Sequence, residues 1–162
     1  MADAVLELYL LRHAHAGNPG RWTGPDAERP LSEKGRRHAE RLGALLAAAG
    51  IAPDLILTSP KARADETARI VGRALDVDVR IDARLGGSLT MAGLTEILAD
   101  AGGGARPMLV GHDPDFSDLA SELAGAPIAL RKGSLARLDL EGPPAAGAGV
   151  LRWLVPPELL GR

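Results

Sequence analysis

The 162-residue sequence contains no cysteine, and aromatic residues make up only 2% of it. The absence of cysteine excludes disulfides, thiolate catalysis and zinc sites built from cysteine. Because aromatic rings are so few, the core must be built from the leucine, alanine, valine and isoleucine within the 46% hydrophobic content. Such small aliphatic side chains suit close packing of helices on a sheet.

The sequence also lacks a large excess of one charge and a long apolar run. The chain has 19 basic and 21 acidic residues, a net charge of −2, and we see no basic stripe. Because nucleic-acid binders gain affinity by neutralising phosphates, we expect no nucleic-acid partner. The N-terminal segment starts acidic and reaches Arg12 after a short apolar run, which fits neither a signal peptide nor a transmembrane helix. We therefore expect a cytoplasmic protein with no membrane partner.

Short apolar runs alternate along the chain with segments of helical periodicity. The pattern predicts strands at 5–11, 54–58, 77–81, 107–110, 134–140 and 149–155. It predicts helices at 32–49, with Ser32 as N-cap and Gly50 as the stop, and at 61–75, 91–100 and 115–123. This alternation is typical of an α/β fold, and we expect residues 1–162 to form a single domain. Its doubly wound, mainly parallel sheet would carry helices on both faces and an antiparallel edge strand at the C-terminus.

Charged side chains follow three of the predicted strands. The first strand ends in Arg12 and His13. The second is followed by Arg63 in the first turn of the next helix, and the strand at 107–110 is followed by His112. Since ligands bind at the carboxyl ends of strands in open α/β sheets, these four residues are expected around one pocket. Arginine matches phosphate oxygens and neutral imidazole is a nucleophile, so the pattern predicts phosphoryl transfer.

Four segments resemble motifs of the histidine phosphatase (phosphoglycerate mutase-like) superfamily: LRHAHAG, RPLSEKGRRHA, TSPKARADETA and VGHDP. The resemblance implies that His13 is the phosphorylated nucleophile, that Arg12 and Arg63 clamp the phosphate, and that His112 stabilises transition-state charge. It also implies that Arg29, in the loop that approaches the pocket, contacts substrate. No cofactor is implied. One departure from the family pattern is alanine at position 14, where glycine is usual.

The sequence has no carboxylate where many members of this superfamily carry a proton donor for the leaving group. Residues 83–90 lack one, and we interpret Asp26, Glu28 and the later Glu96 as solvated charges. A positioned acid contributes about 10²–10⁴-fold, so its absence favours a leaving group that is easily protonated. The imidazole of phosphohistidine, with a pKa of about 6.5, is such a group. In this and in length the sequence resembles SixA-type phosphohistidine phosphatases, which implies a phosphorylated protein as substrate and a role in signal transduction.

Three alternatives stay open. A phosphatase for a small phosphorylated molecule would take its acid from Asp26, Glu28 or the substrate, whereas a mutase usually needs a more enclosed site. A non-catalytic module would keep the pocket only to bind phosphorylated ligands. A metal site at His13 and His15 is disfavoured because no carboxylate follows at ligand spacing, so no bound metal is expected. We expect Asp113 and Asp115 to cap the helix at 115–123.

Overall fold

The computed structural model describes residues 4–102 and 104–161 of the chain. The strands are β1 (Leu6–Arg12), β2 (Leu55–Thr58), β3 (Val79–Ile81), β4 (Pro107–Gly111), β5 (Leu135–Leu140) and β6 (Gly149–Val155). The helices are α1 (Glu33–Ala48), α2 (Ala62–Leu75), α3 (Met91–Asp100) and α4 (Asp115–Ala124). Short 3-10 turns lie at Pro19–Arg21, Asp26–Glu28, Ala83–Gly86 and Pro157–Leu160. Each predicted strand and helix is present, with its ends displaced by two residues or fewer.

The six strands form one mixed sheet in the order β3-β2-β4-β1-β5-β6. The four strands from β3 to β1 are parallel, whereas β5 pairs antiparallel with β1 and β6 antiparallel with β5. The expected α/β sheet is therefore confirmed, with two antiparallel pairings, β1 with β5 and β5 with β6, where one antiparallel edge strand was expected. The connection at 141–148 is too short for a crossover, so β6 has to return beside β5.

Helices cover both faces of the sheet, as predicted. Along β1, Leu8 and Leu10 pack in the cluster that includes α3 and α4, while Tyr9 and Leu11 pack in the cluster that includes α1 and α2. This alternation follows from the two-residue period of a strand, and it explains why the run from residue 8 to residue 11 is buried throughout. Among the described helices, none combines the length and apolar character needed to cross a membrane.

The register of the central strands brings the predicted pocket residues to one edge. Arg12 at the end of β1 lies opposite Gly111 of β4, and Thr58 at the end of β2 lies opposite Val110. The next residues along each strand therefore emerge side by side at the carboxyl edge of the sheet. This is the edge at which open α/β sheets bind ligands.

The start of α1 is packed directly against the segment that follows β1. Ser32 caps the helix as predicted, its Oγ accepting a hydrogen bond from the Gly35 N–H at 3.1 Å. A Cβ at position 35 would overlap the carbonyl oxygen of His15, so only glycine allows this approach. The close packing holds the chain beyond His13 in place.

We therefore expect Gly35→Ala to destabilise the fold. Alanine favours a helix over glycine by about 1 kcal/mol, but the overlap should outweigh that gain and lower the free energy of unfolding by about 2 kcal/mol. Urea denaturation would measure the change. Gly142→Ala is the matched control, because a Cβ there meets no atom within 4 Å. Equal stability of the two variants would contradict this account.

Candidate active site

His13 and His112 face each other at the carboxyl edge of the sheet. Their ring centroids lie 5.2 Å apart with the ring planes tilted by 55°. Both residues are buried, at 5% and 7% exposure, and Arg63 beside them is 6% exposed. The structure thus brings together the side chains that the strand ends predicted to meet.

The orientation of His13 is set by one hydrogen bond. Its Nδ1 lies 2.7 Å from the carbonyl oxygen of Ala14. A carbonyl can only accept, so Nδ1 carries the proton and Nε2 keeps its lone pair. Burial lowers the pKa of His13 to about 3, and the charges of His112, Arg63 and Arg12 act in the same direction. The hydrogen bond that His13 donates to the Ala14 carbonyl oxygen opposes them. His13 is therefore a neutral imidazole at neutral pH, with Nε2 as its nucleophilic atom.

His112 is held by the Ser-Pro turn that follows β2. Its Nε2 lies 2.7 Å from Ser59 Oγ, which accepts a hydrogen bond from the Lys61 N–H at 3.2 Å. Because a hydroxyl can donate one hydrogen bond and accept two, this contact orients the ring in either neutral tautomer of His112. Burial lowers the pKa of His112 to about 4, and the positive charges of Lys61 and Arg63 add to the effect.

Each of the two predicted arginine clamps donates a hydrogen bond to a backbone carbonyl oxygen. Arg12 Nη1 donates to the carbonyl oxygen of Leu130 at 2.8 Å and lies 3.4 Å from Asp113 Oδ2. Arg63 donates from Nη1 to the carbonyl oxygen of Asp26 at 2.9 Å. In both arginines Nε is buried and has no hydrogen-bond partner among the described residues. A buried donor without a partner is costly, and an anionic ligand would remove that cost.

Asp26 is not the simple solvated charge that its loop suggested. Its carboxylate accepts from Arg63 Nη2 at 3.0 Å and from Arg29 Nε at 3.2 Å, although the side chain is 59% exposed. The hydrogen bond from Arg29 lowers the pKa of Asp26, and Arg63 adds to the shift. Asp26 is therefore ionised at neutral pH and is poorly suited to donate a proton. Glu28 and Glu96 are exposed, as predicted.

Arg29 lies where the sequence placed it, beside the pocket. It is 7% exposed, and its Nη1 donates to the carbonyl oxygen of Ala16 at 2.7 Å. Lys132, in the segment before β5, was not predicted. Burial lowers the pKa of Lys132, and the nearby charges of Arg12, Arg29 and Arg63 add to the shift. It belongs to none of the four motifs, so the sequence offered no signal for it.

Two residues of the TSPKARADETA segment hold the pocket loops. Thr67 Oγ1 accepts from the Ala14 N–H at 3.1 Å and donates to the carbonyl oxygen of Arg63 at 2.7 Å. Glu66 accepts from the Leu31 N–H at 3.0 Å. These contacts fix the segment after β1 relative to α2. Sequence reasoning missed both roles, although the residues lie in a motif that it singled out.

Asp113 and Asp115 were both expected to cap α4, and only one does. Asp113 Oδ1 accepts from the Ser117 N–H at 3.1 Å in the first turn of α4. Asp115 instead accepts from the Leu89 N–H at 2.9 Å, so it ties α4 to the segment before α3. Asp113 also touches Arg12, which links the helix start to the pocket.

His15 contacts the start of α1. Its Nδ1 lies 2.7 Å from Ser32 Oγ, at the N-cap of α1. Among residues 4–102 and 104–161, no group of three histidine, aspartate or glutamate side chains is arranged to hold a metal ion.

Comparison with known sequences points to one family. Residues 8–87 match the model of the histidine phosphatase superfamily (branch 1). The uncharacterized protein Rv1276c of Mycobacterium tuberculosis is 32% identical over 142 residues, which cover 88% of this chain and 86% of that protein. GpmB of Cronobacter sakazakii, which bears the name of a phosphoglycerate mutase, is 26% identical over 93% of this chain and 91% of its own.

Solved structures share the same architecture. SixA from Agrobacterium tumefaciens has a TM-score of 0.74 and 27% identity over 93% of this chain and 97% of its own. The protein histidine phosphatase SixA complexed with tungstate has a TM-score of 0.80 and 24% identity, over 96% and 100% of the two chains. With these likenesses and the geometry above, the chain belongs to the histidine phosphatase superfamily and is a phosphatase of that superfamily. Within it, the structure of this chain is similar to those of the SixA proteins.

The two buried imidazoles should make the fold sensitive to acid. Because the pKa of His112 is about 4 in the fold and about 6.5 in the unfolded chain, the unfolded state binds more protons between these values. Stability should therefore fall as pH drops from 6.5 towards 4, by at most about 1.4 kcal/mol per pH unit for each histidine. Thermal denaturation of wild type and His112→Asn between pH 7 and pH 4.5 would measure this. An equal loss in both proteins would contradict it.

Proposed function

We propose that this phosphatase removes the phosphoryl group from phosphohistidine in a protein substrate, through an intermediate phosphorylated on His13. The observation that carries the proposal is the Nδ1 hydrogen bond of His13 to the Ala14 carbonyl oxygen at 2.7 Å. It leaves Nε2 with a lone pair, in a neutral ring, beside His112 and the arginines. Within this scheme the chain acts as one histidine phosphatase-like domain.

The reaction proceeds in two transfers. The lone pair of His13 Nε2 forms a bond to phosphorus as the phosphorus–nitrogen bond of the substrate breaks. The electron pair of that bond goes to the departing imidazole, which takes a proton from solvent. Water then attacks the phosphoryl group on His13, the bond to Nε2 breaks, and loss of a proton from the attacking water leaves inorganic phosphate.

The surrounding cations stabilise the charge that spreads over the transferring oxygens. Arg12 and Arg63 would offer the Nε donors that lack partners among the described residues, and His112 would offer a ring N–H. An incoming phosphate would raise the pKa of His112 and favour its charged form. Asp26 would act by positioning Arg63 and Arg29, which it contacts.

The choice of phosphohistidine rests on the missing proton donor. Asp26 is ionised by its arginine partners, and Glu28 and Glu96 are exposed. Residues 83–90 contain no carboxylate. An imidazole departs readily without such help, whereas an alkoxide does not. The likeness to a protein named as a protein histidine phosphatase, which was solved with the oxyanion tungstate, supports the same substrate class.

A small phosphorylated molecule is the second candidate substrate. The similarity to GpmB, with its phosphoglycerate mutase name, favours it. This candidate would need an acid from Asp26, Glu28 or the substrate, and the ion pair with Arg63 opposes that role for Asp26. The two candidates differ in how the rate depends on the leaving group.

We expect His13→Ala to abolish turnover without unfolding the protein, because it removes the nucleophile from the rim of the sheet. Mixtures of wild type and phosphoramidate that are denatured in alkali, where phosphohistidine is stable, should contain phosphohistidine at position 13, located by mass spectrometry. His38→Ala, on the surface of α1, serves as control and should hydrolyse phosphoramidate like wild type. Turnover by His13→Ala near the wild-type rate would show that another group attacks.

The rate should depend steeply on the pKa of the leaving group. Phosphoramidates and aryl phosphates should be cleaved far faster than alkyl phosphates of similar size, since no positioned acid protonates what departs. Glu28→Gln and Glu96→Gln should change little. Asp26→Asn should lower kcat/KM for every substrate alike, because it disturbs Arg63.

The result that would overturn phosphohistidine as substrate is rapid alkyl ester hydrolysis that collapses selectively in one of these three variants. Such a variant would identify a general acid and a small phosphomonoester substrate. The nucleophilic role of His13 would be unaffected.

A further inference from the structure

A large depression lies outside the pocket, between α1 and the 3-10 turn at Pro157–Leu160. It has a volume of about 660 Å³. We call it the basic groove, and its lining residues are Lys34, Arg37, His38, Arg41, Pro157, Glu158 and Gly161. The expectation of no basic stripe is wrong at this face of the molecule.

The cations of the basic groove form a row along α1. Lys34, Arg37 and Arg41 recur every three or four residues, so they share one face of the helix. From Lys34 to Arg41 the helix rises about 10 Å, at about 1.5 Å per residue. The net charge of the whole chain is −2. The row is therefore a local concentration of positive charge and does not reflect a basic protein.

The basic groove leads to the active site. A neighbouring depression of about 280 Å³ shares Lys34, His38 and Pro157 with it and is also lined by Arg12 and Lys132. Arg12 is the proposed phosphate clamp. Positive side chains thus line both depressions, from Arg12 to α1, with the carboxylate of Glu158 among them.

Acidic side chains neutralise this surface only in part. Glu158 pairs with Arg131, and Glu33 lies 4.0 Å from Arg37. Within the part of the chain that the structure describes, neither Lys34 nor Lys132 forms an ion pair. Burial lowers the pKa of Lys132, and Arg12, Arg29 and Arg63 add to the shift, so these cations repel one another. An anionic partner would relieve that repulsion.

We propose that the basic groove binds an acidic segment of the protein substrate, next to the phosphorylated histidine in the pocket. The inference rests on the proposed function and specifies its substrate class. A row of about 10 Å spans roughly three extended residues, so a short stretch with two or more Asp or Glu residues suffices. The chain's aromatic residues, Tyr9, Trp22, Phe116 and Trp153, do not line the groove. Bases of a nucleic acid would therefore find no stacking surface there.

The test compares two histidine peptides that are phosphorylated chemically with phosphoramidate. One carries Asp and Glu on both sides of the histidine, and the other carries Asn and Gln. Wild type should show a kcat/KM about tenfold higher for the acidic peptide, since complementary charge favours encounter and binding. The preference should shrink as the salt concentration rises.

Two double variants distinguish an effect of the groove from an effect of the net charge of the protein. Arg37→Glu combined with Arg41→Glu should abolish the preference for the acidic peptide. Arg80→Glu combined with Arg106→Glu makes the same change in net charge at exposed positions outside the groove, and should retain it. Hydrolysis of free phosphoramidate should be unchanged in both variants, which also shows that they fold.

Fluorescence anisotropy with the labelled, unphosphorylated acidic peptide gives a readout independent of chemistry. If wild type binds this peptide and the double variant Arg37→Glu, Arg41→Glu does not, the result supports the groove inference. This holds even if neither phosphopeptide is hydrolysed, because a lack of hydrolysis would refute only the proposed function. Equal hydrolysis of both peptides by wild type overturns the groove inference and leaves the proposed function standing. The groove inference is also overturned if a single-stranded DNA 12-mer binds wild type more tightly than the peptide does and this binding requires Arg37 and Arg41.

Discussion

The parallel pairing of β1 with β4 sets the positions of the two histidines on which the pocket depends. Arg12 lies opposite Gly111, so the next residue on each strand is a histidine, and the two rings meet 5.2 Å apart. β2 lies on the other side of β4 and delivers Ser59, which holds His112. A shift of the register by one residue would turn these side chains to opposite faces of the sheet. The buried strands on which they stand make such a shift costly.

Within that frame the pocket carries an excess of positive charge around two neutral rings. Burial keeps His13 and His112 uncharged, and the arginines reinforce the effect. The positive charges that help to prevent protonation of the nucleophile also attract an anion to the pocket. Binding of a phosphoryl group thus relieves repulsion between cations and satisfies buried donors at once. The chemistry proposed for this site uses both consequences.

Asp26 shows how one side chain connects several parts of the site. It lies in the loop before Pro30, and its carboxylate contacts Arg29 of the same loop and Arg63 of α2. An anion in this position holds the guanidinium groups apart and oriented before substrate arrives. The same contact keeps the carboxylate ionised, which separates a positioning role from that of a proton donor.

The sequence by itself determined the order of the elements, the parallel part of the sheet and the approach of His13, His112 and Arg63. These follow from local patterns: apolar runs of strand length, helical spacing, and charged residues placed directly after strands. Tertiary structure alone decided the pairing of Asp26 with Arg63, the place of Lys132 beside the arginines, and the basic groove. Each of these depends on charges from segments distant in sequence, and no local period encodes which distant segments meet. Even the row on α1, visible as a helical spacing, becomes a groove only because the turn at Pro157–Leu160 packs beside it.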